Sequence, residues 1–247
     1  MVSFLKNWIP SIPGYNTFHT FYSLIRKPEI TPLVHNTLIN SYSQYGEDLV
    51  IDGITGNKPM GFFVDVGAND PVNLNNTKRF YDRGWHGINI EPNPVLFKKL
   101  DEQRMRDINL NIGVGSCAKE SPFYMVSADT LSSFNKADAE RNCRIFNERI
   151  IETKNIHMQP LVAIFDDYNM GHDIVFMSVD VEGYELEVLS TNDWHRYRPY
   201  LIVIEINNNT AAILSYLKKN GYELVFRNHT NGIFVDTIAA QKTVITE

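Results

Sequence analysis

Cysteine is nearly absent. The 247 residues hold only Cys117 and Cys143, too few for a disulfide framework and wrongly spaced for a metal site. Such a pair suits reduced thiols, and a cytoplasmic location is the expectation. No run of about 18 apolar residues occurs, so no transmembrane helix is expected. The opening MVSFLKNWIPSIPG is broken by Lys6, Asn7 and Pro10 and lacks a signal-peptide core. Positive charge is in deficit, with 23 Lys and Arg against 29 Asp and Glu, a net charge of -6. That argues against a general nucleic-acid binder, which needs a basic face. The G-x-G-x-x-G fingerprint of a dinucleotide site is missing, as are internal repeats and low-complexity segments.

What is present is enough apolar residue for a sizeable core, 43% of the chain, with an ordinary 21% charged. The length suits one domain, or one domain with an appendage. Residues 1–40 carry prolines at 10, 13, 28 and 32 and read as an extension, irregular or in short helices. Phe4, Leu5, Trp8 and Ile9 could share one face of a short amphipathic helix. Packing against the domain or a partner is the simpler use of that face; weak membrane-surface contact is the other. The domain proper is expected over 41–247.

Apolar runs alternate with helical stretches from there on, the βαβ signature of a parallel sheet. Ser41–Asp52 reads as a helix and Gly61–Val66 as the first strand. Asn76–Arg83 is a helix, Gly87–Ile90 a strand, Val95–Gln103 a helix and Ile108–Val114 a strand. The rhythm then breaks into an insertion at about 117–160. Pro122–Val126 is strand-like there, and Lys136–Glu152 reads as a charged helix, either a substrate-selecting lid or a peripheral cover of a sheet edge. Leu161–Phe165 looks like a strand. Asp173–Val181 is a near-continuous apolar run, as central strands buried on both faces are. Glu182–Ser190 is a helix, Tyr200–Ile206 a strand and Thr210–Asn220 a helix stopped by Gly221. Tyr222–Phe226 and Gly232–Val235 are joined by too few residues for a parallel crossover, so they form an antiparallel hairpin.

The chemistry gathers where strands end. Asp65-Val-Gly-Ala-Asn-Asp follows the first, and Gly67 lets backbone approach a ligand. A helix opening at Asn75-Asn76-Thr77 could present free N–H groups to a carboxylate. Glu91 stands 26 residues after Asp65, about where an acid holds ribose hydroxyls. Asp180, Glu182 and Glu185 lie within six residues, and Glu205 should end the neighbouring strand. Glu185 reads as a solvated face. Asp180, Glu182 and Glu205 converging on one edge would need a cation such as Mg²⁺, a shared proton or hydrogen-bond donors. Asp180, Glu205 and then His229, in the last turn, are the candidate bases.

The pieces SQYGEDLVI (43–51), FFVDVGANDP (62–71), NNTKRFYDRGWHGINIEPNP (75–94), INLNIGVG (108–115), LSSF (131–134), DIVFMSVDVEGYELEVL (173–189) and YLIVIEINN (200–208) resemble the FkbM family of S-adenosylmethionine-dependent methyltransferases. The resemblance implies an α/β class I methyltransferase fold. That is a Rossmann-like, seven-stranded, mostly parallel sheet with helices on both faces and an antiparallel C-terminal strand. It implies that Asp65, Gly67 and Asn69 line the cofactor's methionine side, with Thr77 near its carboxylate. Glu91 then holds the ribose, Asn111 and Ile112 neighbour the adenine, and Asp180, Glu182 and Glu205 fall at the catalytic edge. It further implies O-methylation of a hydroxyl, often on a sugar of a glycan or a natural product. Ser178 stands where many members have lysine, so no role of that lysine transfers. Two other readings remain beside it: an NAD-type oxidoreductase, disfavoured by the missing glycines and the terminal hairpin, and a non-catalytic adaptor that keeps the fold.

Overall fold

Phe62–Val66 forms β1, and its side chains alternate between two apolar layers. Phe63 packs with Phe80, Trp85 and Phe176 on one face of a sheet. Val64 and Val66 pack with Leu161, Ile164 and Leu189 on the other. Burial of each such large side chain is worth about 1.5–3 kcal/mol, and the alternation therefore decides where helices can lie. The computed structural model describes residues 40–168, 174–207 and 209–238. The extension and its Phe4, Leu5, Trp8 and Ile9 face lie outside these residues. Among the described residues no helix is long and apolar enough to cross a membrane.

In chain order, α1 (Glu47–Ile54) and β1 lead to α2 (Lys78–Arg83), β2 (His86–Ile90), α3 (Pro94–Gln103) and β3 (Ile108–Leu110). Next come β4 (Gly113–Val114), β5 (Lys119–Val126), a 3₁₀ turn, α4 (Lys136–Phe146) and β6 (Ile150–Gln159). The chain continues with α5 (Leu161–Asp167), β7 (Ile174–Val179), α6 (Glu185–Ser190), β8 (Leu201–Glu205), α7 (Thr210–Lys219), β9 (Tyr222–Arg227) and β10 (Asn231–Asp236). Seven strands form one sheet in the order β3-β2-β1-β7-β8-β10-β9. β10 runs antiparallel to both its neighbours, and the other pairings are parallel. Helices cover both faces, with α1 and α2 on the Phe63 side and α5, α6 and α7 on the other. This is the seven-stranded arrangement that the resemblance implies, with the terminal hairpin where the short connection required it.

Between β3 and α5 the chain builds a second sheet, β4-β6-β5, with its own small core of Phe123, Met125, Ile156 and Phe134. Four expectations change here. The single strand over 108–114 is two, because β4 leaves the main sheet to pair with β6. The charged helix ends at Phe146, where Asn147 turns at φ 58°, and the chain returns as the long strand β6. Leu161–Phe165 is helix, not strand. Leu161, Ile164 and Phe165 are its buried residues, the i, i+3, i+4 spacing of a helix face. Finally, α1 and α6 begin later than expected, at Glu47 and Glu185, because the residues before them form turns.

Candidate functional site

The strand order reverses between β1 and β7, so the loops leaving their carboxyl ends diverge and open a crevice. The Asp180 N–H donates to Val66 O at 3.0 Å and holds the two strand ends together. Between them sits Gly67 at φ 81°, where a Cβ would lie 1.8 Å from Asp180 O. No side chain fits that position, and the bare backbone lines the cavity.

Glu91, after β2, is 4% exposed. Its Oε2 accepts the Asn69 N–H and its Oε1 the Asn93 N–H, both at 2.7 Å. Asn69 turns through φ 51° to deliver its N–H. Burial pushes the Glu91 carboxyl up to about 7, against the pull of those two N–H groups, and the charges of Asp65 and Asp129 add to the rise. Each oxygen keeps further acceptor capacity.

Asp65 lies in register with Asn89 on β2 and Ser178 on β7. Its Oδ2 accepts the Thr77 hydroxyl at 3.0 Å. Burial raises its carboxyl to about 6, and the Asp107 charge adds to that; the Thr77 hydroxyl, the Arg104 charge and the Ser178 hydroxyl pull it down. Thr77, expected near the cofactor's carboxylate, is fully buried and does not line the cavity. Nor are the first N–H groups of α2 free. Asn75 Oδ1 accepts those of Thr77 and Lys78 at 3.0 and 2.7 Å. Asn111 spends its amide on the Glu91 and Pro92 carbonyls, at 2.8 and 3.0 Å. Ile112 packs against the main core. Neither of these expected neighbours of the adenine lines the cavity; Asn111 braces the Glu91 loop from behind.

The acidic edge is real, but its membership differs from the expected trio. Glu185 is 2% exposed, not solvated, and accepts the N–H groups of Val181 and Gly183 at 3.3 and 2.9 Å. Oxygen atoms of Asp180, Glu185 and Glu205 all lie within 4.8 Å of one another. Glu182, turned out at φ 55°, lines the cavity but stands outside that group of three. Glu205 Oε1 accepts from Asn207 at 2.8 Å, while its buried Oε2 has no donor unless it shares a proton with Glu185. Asp180 opens to the cavity. The surrounding protein shields it from bulk water, and the charges of Glu205, Glu182 and Glu185 then lift its carboxyl well above the usual range. Burial, with the charges of Glu205 and Glu185, raises Glu182 to about 8, and burial with the charge of Glu185 raises Glu205 to about 7. A proton shared among these carboxyls would relieve their mutual repulsion. His229 is exposed in the β9–β10 turn and does not line the cavity, although Thr230 and Asn231 beside it do.

Asp65, Gly67, Asn69, Glu91, Asp180, Glu182 and Glu205 thus meet in one cavity of about 860 Å³. That lies toward the upper end of the range for small-molecule sites, about 300–1,000 Å³. The second sheet and α4 supply one wall through Phe123, Phe134, Arg141, Ile145 and Phe146. Arg141 pairs with Asp138, and its charge pulls the Glu182 carboxyl down. Gln44 and Tyr45 also line the cavity; they lie in the piece SQYGEDLVI, which carries the resemblance but no expected site role. Glu47 explains their place. Fully buried, it accepts the Tyr45 N–H and the side-chain amides of Asn228 and Asn231, which ties the segment before α1 to the last turn. Ser178 and Asn76 line it too, joined by an Asn76 Nδ2 to Ser178 Oγ bond of 3.0 Å.

The sequence model of the Methyltransferase FkbM domain matches residues 65–224. No curated protein is significantly similar in sequence. Among solved structures, one similar fold is a TehB-like S-adenosylmethionine-dependent methyltransferase from Corynebacterium glutamicum, 12% identical, with a TM-score of 0.44 over 89% of this chain and 99% of that one. Another is 1,6-didemethyltoxoflavin-N1-methyltransferase from Burkholderia thailandensis, with 1,6-didemethyltoxoflavin and S-adenosylhomocysteine bound. It is 7% identical, with a TM-score of 0.43 over 89% of this chain and 90% of that one. Likenesses this slight carry no argument about individual residues or substrates.

Proposed function

From the premise that this chain belongs to the FkbM family and is an S-adenosylmethionine-dependent methyltransferase, we propose that it methylates a hydroxyl oxygen, on a sugar of a glycan or of a glycosylated product. The observation that carries the reading is the adjacency of two half-sites in one cavity, Glu91 with the Gly67 loop and the carboxyls of Asp180 and Glu205. A ligand with a sulfonium, an ammonium and two ribose hydroxyls suits carboxylate acceptors, and the Gly67 backbone leaves the close approach that a Cβ would fill.

When bound, the cofactor supplies an electrophilic methyl on a cationic sulfur, so no covalent intermediate with the protein is needed. Glu91 would accept ribose hydroxyls with the lone pairs left over from Asn69 and Asn93. Asp65 and Asn69 would line the methionine half. Asp180 would take the acceptor's proton as its oxygen attacks, with Glu205 as second candidate. A carboxyl raised toward neutrality accepts a hydroxyl proton more readily than one near 4. Alignment of the oxygen with the bond that breaks contributes at best on the order of 7–11 kcal/mol. A second reading places Mg²⁺ among Asp180, Glu185 and Glu205 in place of the shared proton, and the donorless Glu205 Oε2 favours it. A cation there would lower the hydroxyl's own pKa.

The test is mass spectrometry of a sugar panel incubated with S-adenosylmethionine, with and without a chelator. One methyl gained per acceptor is the expected result. Calorimetry with S-adenosylhomocysteine and NAD runs beside it. Binding of NAD alone would overturn the reading, and cofactor binding with no acceptor ever methylated would turn it to the adaptor alternative.

A further inference from the structure

We propose that Arg104 is a positioning residue for the cofactor half of the cavity: its guanidinium, buried behind the β1 loop, orients Asp65 through Thr77 and Asn75 and supplies a counter-charge beside it. The inference rests on the methyltransferase reading, in which Asp65 faces the cofactor's ammonium.

Arg104 caps the C-terminal end of α3 and is fully buried. A guanidinium is costly to bury unless it is paired and hydrogen-bonded, and this one is spread over several partners. Its Nε donates to Pro71 O at 3.0 Å, and Nη2 donates to Asn75 Oδ1 at 2.7 Å and to Thr77 Oγ1 at 3.0 Å. Nη1 lies 3.6 Å from Asp107 Oδ2 and has no closer partner. The Tyr81 ring covers the guanidinium at 4.6 Å.

Those contacts lead straight to the cavity. The Thr77 hydroxyl donates a hydrogen bond of 3.0 Å to Asp65 Oδ2. Asn75 Nδ2 reaches Ala68 O and Asp70 O, both at 3.1 Å, and Asp65 Oδ2 at 3.5 Å. One side chain therefore braces the loop from Ala68 to Asn75, including Asn69, whose N–H binds Glu91. The groups that face Asp65 are Thr77 and Asn75 before α2, Arg104 after α3, Asp107 before β3, Ser178 on β7, Asp180 after it and Glu91 after β2. Arg104 is the only cation among them, against three acids. Burial already raises the Asp65 carboxyl to about 6, and the Arg104 charge holds it from rising further.

The experiment is calorimetric titration of S-adenosylhomocysteine into wild type, Arg104→Met, Arg104→Lys and Thr77→Val, over about pH 5 to 9 to bracket the ordinary shifts. Folding is checked by circular dichroism. Glu91 contributes the same pH dependence to every protein, so the readout is the difference between them. In Arg104→Met the midpoint for binding rises by about one pH unit, which weakens binding about fivefold at pH 6. Arg104→Lys keeps the charge but loses the planar fork, and its midpoint stays put. Thr77→Val removes the hydroxyl link without removing the charge, and its midpoint also rises. An unmoved midpoint in Arg104→Met overturns the proposal, even if binding weakens equally at every pH, since that is what a merely structural arginine would do. If Arg104→Met does not fold, an unmoved midpoint in Thr77→Val overturns it. Failure of wild type to bind at any pH overturns the cofactor reading itself.

Discussion

Glu91→Gln should make the protein bind its cofactor worse and make its stability less sensitive to a rise in pH. The wild-type carboxyl is raised from an ordinary 4.5 to about 7, because burial disfavours its charge more than two backbone N–H groups favour it. A folded-state value above the unfolded one means that the folded protein holds the proton more tightly. Below about 4.5 both states are protonated and the group is neutral in the balance. As pH rises toward 7 the unfolded chain releases its proton first, and folding loses on the order of 3 kcal/mol by pH 7 and above. Gln carries no charge and escapes that loss. It has its own cost, since its NH₂ group must face the Asn69 or Asn93 N–H, leaving one buried donor unmet at about 1–3 kcal/mol. The two effects nearly cancel at pH 8, whereas at pH 4.5 only the cost remains. The assay is urea unfolding of both proteins from pH 4.5 to 8. The stability gap, in favour of wild type at the acid end, should close by about 3 kcal/mol at the alkaline end. S-Adenosylhomocysteine should bind the variant about 1–3 kcal/mol more weakly at pH 8. Parallel stability curves would refute the raised carboxyl, and an unchanged dissociation constant would remove Glu91 from the cofactor site.

Gly67→Ala places a methyl 1.8 Å from Asp180 O at φ 81°, so it should cost at least about 2 kcal/mol in urea unfolding and abolish cofactor binding; an unchanged midpoint would show that the two loops are not locked together. Asp180→Asn should bind S-adenosylhomocysteine as wild type does but turn over about 10²–10⁴-fold more slowly, and full turnover would contradict its role as base. Wild-type kcat should rise with pH through the window set by Glu205 at about 7 and Glu182 at about 8, because the carboxyls must lose protons before one can accept another; a rate that falls across that window is incompatible with a carboxylate base. Glu185→Gln removes one oxygen from the group of three, and activity in the wild type that is lost on chelation and restored by Mg²⁺ would select the metal reading over the shared proton.

Much of the sheet was legible because its central strands are buried on both faces. Phe62–Val66, Ile174–Val179 and Leu201–Glu205 read as nearly unbroken apolar runs that stop at acids. Leu161–Phe165 was not legible, since five apolar residues fit a period of 2 as well as one of 3.6, and only the packing of Leu161, Ile164 and Phe165 selects the helix. β6 was hidden by exposure. Five of its ten residues are exposed and two are buried, so its apolar alternation is weak, and its start reads as the end of the charged helix.

The central strands along the chain and the acids at their ends were determined by the sequence alone, through the apolar runs, Gly67 after the first, Glu91 after the second and Asp180 after the run over 173–181, whereas the order of the strands in the sheet was not. Which acids act together was decided only by the tertiary structure. Glu185 looks solvated from its neighbours in the chain, yet the turn through Glu182 and Gly183 folds two N–H groups onto it and brings it against Glu205. Thr77 looks like part of a ligand-facing helix start, yet it faces Asp65 and Arg104. In each case the deciding partner lies on another strand or loop. Burial and charge coupling are sums over neighbours in space, and sequence spacing cannot supply those sums.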